Sequence, residues 1–416
     1  MRQFLKCLSQ GFTRGCHSLL PLQGLAGLFL FGSVGMLPNL YAESVDITDN
    51  QESTMQGFTP YAILATDIFS NLSGGNETGT SGLGLLELGL DADLDKLFGW
   101  QGTSFHISGL WAGGEDPSVN VGDFNTLSNI AAGDSTYFYE AWVQKYFMEE
   151  KLRIKLGLTT IDADFMISEY SGAFINSGFG ILPTFSGNTA VPTFPLSGLG
   201  ALAQYSFTES SYLQLGVYDG DAGADDEHGM DWDYGSDEGA AFVYEIGTEK
   251  IFQSNLNGTY KFGGMYHTGE FTDFRDGSTD HGNYNFYVIA DQVLLNQASG
   301  DPKLAGFISA SYSPEEERNS VNFFVATGIN LFSPFSGRDD DIFGVGMLYT
   351  DFSDDAVRDL QLTEAQVNDS ESVLEIFYQA QITPWLVIKP EVQFIFDPML
   401  AEDDAVLFGT RIEIAF

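Results

Sequence analysis

The sequence predicts an all-β protein: a transmembrane antiparallel β-barrel of about sixteen strands, with long external loops and an infolded constriction loop. Three observations carry that expectation. Segments after residue 56 alternate apolar and polar residues with period two, as strands between lipid and a wet lumen must. Very short and long connections alternate between those segments. The composition combines 35 Phe, 18 Tyr and 47 Gly with only 2 Cys, and it contains no long apolar run after residue 42.

From the N-terminus, residues 1–42 read as a secretory signal peptide. Arg2, Lys6 and Arg14 form a basic start, "LAGLFLFGSVGML" (25–37) is the apolar stretch, and Ala42 offers a small residue for cleavage. Both cysteines, Cys7 and Cys16, leave with it, so the exported chain has neither a disulfide nor a thiolate metal site. The formal net charge of −41 then becomes −44, because three positive charges go and no negative one does. That sum argues against nucleic acid as a partner, since phosphate binding needs a basic footprint. Residues 43–56 read as a short acidic lead-in, and 57–416 as the barrel.

The strands are expected near 57–68, 83–93, 103–112, 136–147, 151–160, 200–207, 211–218 and 239–248, then 255–267, 283–294, 303–313, 320–331, 341–351, 371–382, 384–396 and 405–416. The clearest is "KLRIKLGLTT", with Leu152, Ile154, Leu156 and Leu158 on one face and Lys151, Arg153, Lys155 and Thr159 on the other. "PWLVIKPEVQFIF" turns Lys389, Glu391 and Gln393 inward, and the last strand turns Arg411 and Glu413 to channel water with Phe408, Ile412, Ile414 and Phe416 to lipid. Connections after even-numbered strands are short and those after odd-numbered ones usually long, which fits periplasmic turns and external loops with both termini periplasmic. Closure leaves no strand edge in hydrocarbon. Sixteen strands enclose an aqueous channel, and inward Glu87, His106, Glu140, Gln144, Glu245, Lys261 and Asn285 look too polar for a packed core.

Several stretches resemble the OprB-type carbohydrate-selective porins of Gram-negative outer membranes: "LDADLDKLFGWQGTSFHISGLW" (90–111), "FYEAWVQKYF" (138–147), "KLRIKLGLTTIDADF" (151–165), "LGVYDGDAG" (215–223), "GGMYHTGEF" (263–271), "DQVL" (291–294) and "GINLFSPFSGRDDDIFGVG" (328–346). The resemblance runs over about 57–416. It implies a barrel that passively admits small sugars and neutral solutes without cofactor or energy input, narrowed by infolded loops, and located in the outer membrane as a monomer or homotrimer. Two departures stand out. Leu158–Thr159 replace an expected basic residue, and Asp339 stands where Pro is common; both suggest a more acidic pore. The terminal Phe416 resembles the signal read by the barrel assembly machinery.

The longest connection, 161–199, is the first candidate for the constriction, with Asp162, Asp164, Glu169 and Tyr170 beside aromatic and Gly/Pro-rich segments. Aromatic faces suit the C–H faces of a sugar, and carboxylates accept from its hydroxyls; the alternative is an external loop folded on itself. Lys151, Arg153 and Lys155 form a basic ladder that could set a transverse field against Glu140. The alternative is charge pairing that merely lets polar residues line a wet barrel. Arg338, Lys389, Glu391, Arg411 and Glu413 complete the channel-lining candidates. The acidic stretch 219–238 fails the EF-hand pattern, with Ala224 at the required Gly and Met230 at the bidentate Glu, so it reads as a solvated external loop that could hold divalent cations near lipopolysaccharide. No metallohydrolase, serine-hydrolase or phosphate-loop motif occurs, which disfavours an enzyme. An acidic, cation-preferring general porin is the rival function, and an outer-membrane barrel enzyme the distant one.

Overall fold

The computed structural model of the protein describes residues 57–222, 238–252 and 256–416. The expected leader and lead-in and most of the acidic stretch 219–238 lie outside the described residues. Sixteen strands form one closed antiparallel barrel in which each pairs with its sequence neighbours and the first pairs with the last. They are β1 (Phe58–Ser73), β2 (Gly79–Asp93), β3 (Thr103–Gly114), β4 (Ser135–Phe147), β5 (Leu152–Thr159), β6 (Gly198–Thr208), β7 (Ser211–Asp219) and β8 (Ala240–Phe252). The second half is β9 (Leu256–Thr272), β10 (Thr279–Asn296), β11 (Pro302–Tyr312), β12 (Val321–Phe332), β13 (Ile342–Phe352), β14 (Ser370–Thr383), β15 (Leu386–Phe396) and β16 (Ala405–Ala415).

Every expected strand is present. The largest boundary differences lie at the long-loop end, where β1 runs to Ser73 and β2 begins at Gly79. The added residues, such as "GTSG" in β2, continue the ladder there without a hydrophobic period to mark them. Closure follows the expected register: Asp67 faces Arg411 and Leu64 faces Ile414, with Ala62 and Phe416 exchanging backbone hydrogen bonds of 3.1 and 2.9 Å.

Outward residues such as Leu156, Leu215, Phe242, Phe262, Val288, Ile308, Ile329, Met347 and Phe408 are exposed, an apolar surface for lipid. Aromatic residues cluster at the short-turn end: Tyr205 meets Phe207, and Trp385 stacks on Phe416 with ring centroids 6.4 Å apart. Inside, large rings lie flat over glycines of the next strand. A Cβ at Gly89 would come within 2.1 Å of Tyr61, and one at Gly247 within 2.4 Å of Tyr212. Gly157, at φ 145°, lets β5 run close to β4: a Cβ there would lie 2.3 Å from the Ala141 carbonyl oxygen, and the conformation favours glycine.

The interior corrects one expectation. Its long-loop half is packed rather than wet. Inward Val243, Met265, Tyr287, Phe307, Phe324, Leu348, Val373, Phe377 and Leu407 join Phe165, Phe174, Phe179 and Phe185 of the connection 160–197 in one buried cluster. A second cluster sets Ile130, Ala131 and Ala132 of the connection 115–134, with Phe194, over Leu83, Leu85, Leu110 and Ala112. The polar inward residues named from the sequence are real. The apolar ones between them carry no separate signal in the sequence, because a lumen-facing Phe and a core Phe obey the same period.

Candidate functional site

The connection 160–197 leaves β5, crosses the interior and returns to β6, pinned at successive points by polar side chains of the wall. Glu245 on β8 accepts from the backbone N–H of Met166 at 3.2 Å, and also from Tyr212, Gln214 and Tyr287. Asp291 on β10 accepts from Ser168 Oγ at 2.6 Å and from the N–H groups of Glu169 and Tyr170. Lys261 donates to the Ile167 carbonyl at 2.6 Å, Asn330 to that of Tyr170 at 2.7 Å, and Lys389 to that of Ala173 at 2.8 Å. Glu375 on β14 takes the N–H groups of Ile175 and Asn176 at 2.8 and 2.9 Å. The return leg is held by Asn285 and Asn188, and Ser197 Oγ donates to the Tyr139 carbonyl.

The connection 115–134 enters in the same way. Glu371 accepts from the N–H groups of Phe124 and Asn125 at 2.7 and 2.8 Å, while Ser128 donates to Asp67 at 2.6 Å. Buried backbone donors must find acceptors, and carboxylates make the strong, charge-assisted ones. Much of the wall's acidity is therefore spent on holding loops.

At the root of the infolded loop, Asp164 sits between two inward cations of β5. Arg153 Nη2 is 2.8 Å from one oxygen and Lys155 Nζ 2.9 Å from the other. Burial alone would push the Asp164 carboxyl up, but Lys155 and Arg153 outweigh it and hold it below the usual carboxylate range. Two residues away, Asp162 has no such cation, and burial pushes its carboxyl up to about 7, its own backbone and Thr160 offsetting only part of that.

Along the short-turn half, a row of rings runs across the wall from β1 to β4. Tyr61, His106 and Trp142 stack with centroids 6.0 and 5.0 Å apart, and Lys155 Nζ lies 4.7 Å from the Trp142 ring. Carboxylates flank the row: Tyr61 donates to Glu87 at 2.6 Å, His106 Nδ1 is 2.8 Å from Asp91, and Trp142 donates to Glu140 at 3.2 Å. Asp91 keeps 39% of its side chain exposed and Arg153 keeps 20%. Half-buried Gln144, Gln204 and Gln379 add amides to this half of the inward surface.

The sequence-derived candidates separate into three groups. Glu140, Arg153, Lys155, Asp162 and Asp164 come together at the loop root, but the ladder's partner is Asp164 rather than Glu140. Glu140 is held by Thr159 Oγ1 at 2.8 Å and lies 3.7 Å from His106 Nε2. Lys389, Glu391, Arg411 and Glu413 are inward but buried, which corrects their placement against channel water. Arg411 pairs bidentately with Asp67 at 2.7 Å for each bond, beneath Ser128 of the descending connection. Lys151, Arg338 and Tyr170 do not line a passage. Lys151 lies exposed in the turn before β5, and Arg338 locks the turn before β13 through Asp341 at 2.7 and 2.8 Å. Tyr170 is buried edge-on against Phe332, so neither of its faces is offered to a solute. Glu169 is the exposed acid of the loop. The anchors Asp67, Asp291, Glu371 and Glu375 escaped sequence reasoning as functional residues, although their inward register on assigned strands was the available signal.

Comparison with known proteins agrees with this architecture. The family model described as carbohydrate-selective porin, OprB family, matches residues 77–416. Porin B of Pseudomonas aeruginosa PAO1 is 22% identical over 398 residues, covering 83% of this chain and 85% of its own. The putative porin QuiX of Acinetobacter baylyi is 25% identical over 404 residues, covering 88% of this chain and 91% of its own. Among solved structures, OprB of Pseudomonas putida superposes with a TM-score of 0.79 at 20% identity, covering 87% of this chain and 94% of that one, which shows the shared fold. The sixteen-stranded barrel and the match over most of its length make this chain a member of the OprB family of carbohydrate-selective porins, passive channels of the Gram-negative outer membrane.

Proposed function

We propose that this porin passes small neutral sugars down their gradient, through the space left between the infolded loop and the wall. In this reading the long-loop end faces outside, and both ends of the described chain face the periplasm. One observation supports the selectivity: inward charges of the wall and loop are paired or hydrogen-bonded within the protein. Asp164 binds Arg153 and Lys155, Asp67 binds Arg411, and the Glu140 carboxylate accepts from Thr159 and Trp142. What remains for a solute is chiefly hydroxyl-matching chemistry, the amides and partly exposed carboxylates, and a neutral sugar meets it without giving up the hydration of an ion.

The apolar outer face suits outer-membrane lipid. The strand ending in Phe416 suits recognition by the assembly machinery, with lipopolysaccharide against the long-loop rim. Liposome swelling with glucose and maltose, alongside reversal potentials in a KCl gradient, tests the reading. Faster flux of glucose than of similarly sized ions supports it. Strong cation selectivity without sugar preference would instead support an acidic general porin.

A further inference from the structure

We propose that Asp164 is a specificity-determining residue: by binding both inward cations of β5 it lowers the charge of that ladder from +2 to +1, and so weakens its attraction for anions. This rests on the reading of the protein as a channel for neutral sugars.

Four features support it. The carboxylate comes from the infolded loop, whereas the cations come from the wall, at 2.8 and 2.9 Å. Neutralisation therefore depends on the loop being in place. The cations are also held where they are by other contacts: Lys155 by the Trp142 ring at 4.7 Å, and Arg153 by Gln144 Oε1 at 3.3 Å. The wall acid Glu140 accepts from Thr159 and Trp142, and its ion-pair contact is with His106 rather than with either cation. Loss of the Asp164 charge thus leaves the ladder uncompensated. Finally, the loop does not rely on that charge for its position. Gln214 donates to the Asp164 carbonyl at 2.7 Å, and the next anchor is the Met166 N–H on Glu245. Arg153 is the member of the pair with solvent access, 20% against 6% for Lys155, so it is the charge a passing ion would meet first.

The test is the reversal potential of single channels in a KCl gradient, read for the wild type, Asp164→Asn, Asp164→Glu and the double variant Arg153→Gln/Asp164→Asn. Asp164→Asn should raise chloride over potassium permeability by more than about fivefold, because one unpaired charge at about 4 Å in water changes each ion's access by about that factor and in opposite directions. Asp164→Glu should behave as the wild type, and the double variant should return most of the way to it. If Asp164→Asn does not assemble, Arg153→Gln alone should move selectivity the other way, toward potassium. The proposal is overturned if selectivity is unchanged in Asp164→Asn, or in Arg153→Gln where that variant stands in for it. It is equally overturned if the Asp164→Asn shift survives in the double variant with raised conductance and passage of maltotriose, which would mean a displaced loop. Glucose flux through the wild type is measured separately, so failure of the sugar reading cannot be mistaken for failure of this one.

Discussion

Two walls of the same barrel use carboxylates in opposite ways. From β8 round to β1, Glu245, Asp291, Glu371, Glu375 and Asp67 are buried, and each accepts from a loop group. On β2 to β4, Glu87, Asp91 and Glu140 are bonded to side chains of the wall itself, and Asp91 stays well exposed. The first wall fixes the shape of the passage and the second helps to line it. The comparison teaches that the acid count of a porin is no measure of the charge a solute meets, because a carboxylate capped by backbone N–H groups is part of the scaffold.

The largest effect should come from removing what the first wall holds. Replacing residues 166–190 by a short Gly/Ser link should raise single-channel conductance several-fold and admit oligosaccharides that the intact channel rejects, measured in bilayers and by liposome swelling. Unchanged conductance would show that the loop does not set the passage. Next, Glu375→Ala leaves the N–H groups of Ile175 and Asn176 without their acceptor and should cost about 2–4 kcal/mol in urea unfolding of the barrel in detergent. Asp91→Asn on the lining wall should cost about 1 kcal/mol or less. Equal losses would erase the distinction between the walls.

Gly89→Leu drives a side chain into the Tyr61 ring, and should cost about 1–3 kcal/mol in the same assay while disturbing the ring row. A pH dependence completes the series. Asp162 is raised from 3.8 to about 7 in the folded protein, so the fold binds its proton more tightly than the unfolded chain does. Its contribution is therefore complete below about pH 4 and is lost as pH rises toward 7. Asp162→Asn should flatten the fall of the urea midpoint between about pH 4 and pH 7, and an unchanged slope would remove Asp162 from that account.

The barrel was legible because its rule is local. Period-two alternation such as "KLRIKLGLTT" reports both the strand and its two faces, and the turn lengths report the phase. The missing strand ends, Phe69–Ser73 and Gly79–Gly82, lie at the long-loop end, where Ser70, Asn71, Thr80 and Ser81 interrupt the apolar period. The site was legible only as a set of residues. Arg153, Lys155, Asp162 and Asp164 were all named, yet a pairing of β5 with its own loop depends on how the chain re-enters the barrel, and strand alternation carries no information about that. The same holds for Arg411, whose inward direction was right. Its burial follows from Ser128, far away in sequence, descending onto Asp67. Tyr170, Phe179 and Phe185 looked like sugar platforms for the complementary reason: an aromatic residue in a loop reads the same whether it faces a solute or another ring.

The central claim is that this passage prefers neutral sugars because its charges are paired internally. It is tested most directly by comparing liposome swelling rates for glucose, gluconate and glucosamine, three solutes of nearly one size and three different charges. The account predicts that glucose enters fastest and that both ions lag behind it. Glucosamine outrunning glucose would contradict it, and would show that the acids of the lining wall, rather than the pairing at the loop root, govern what passes.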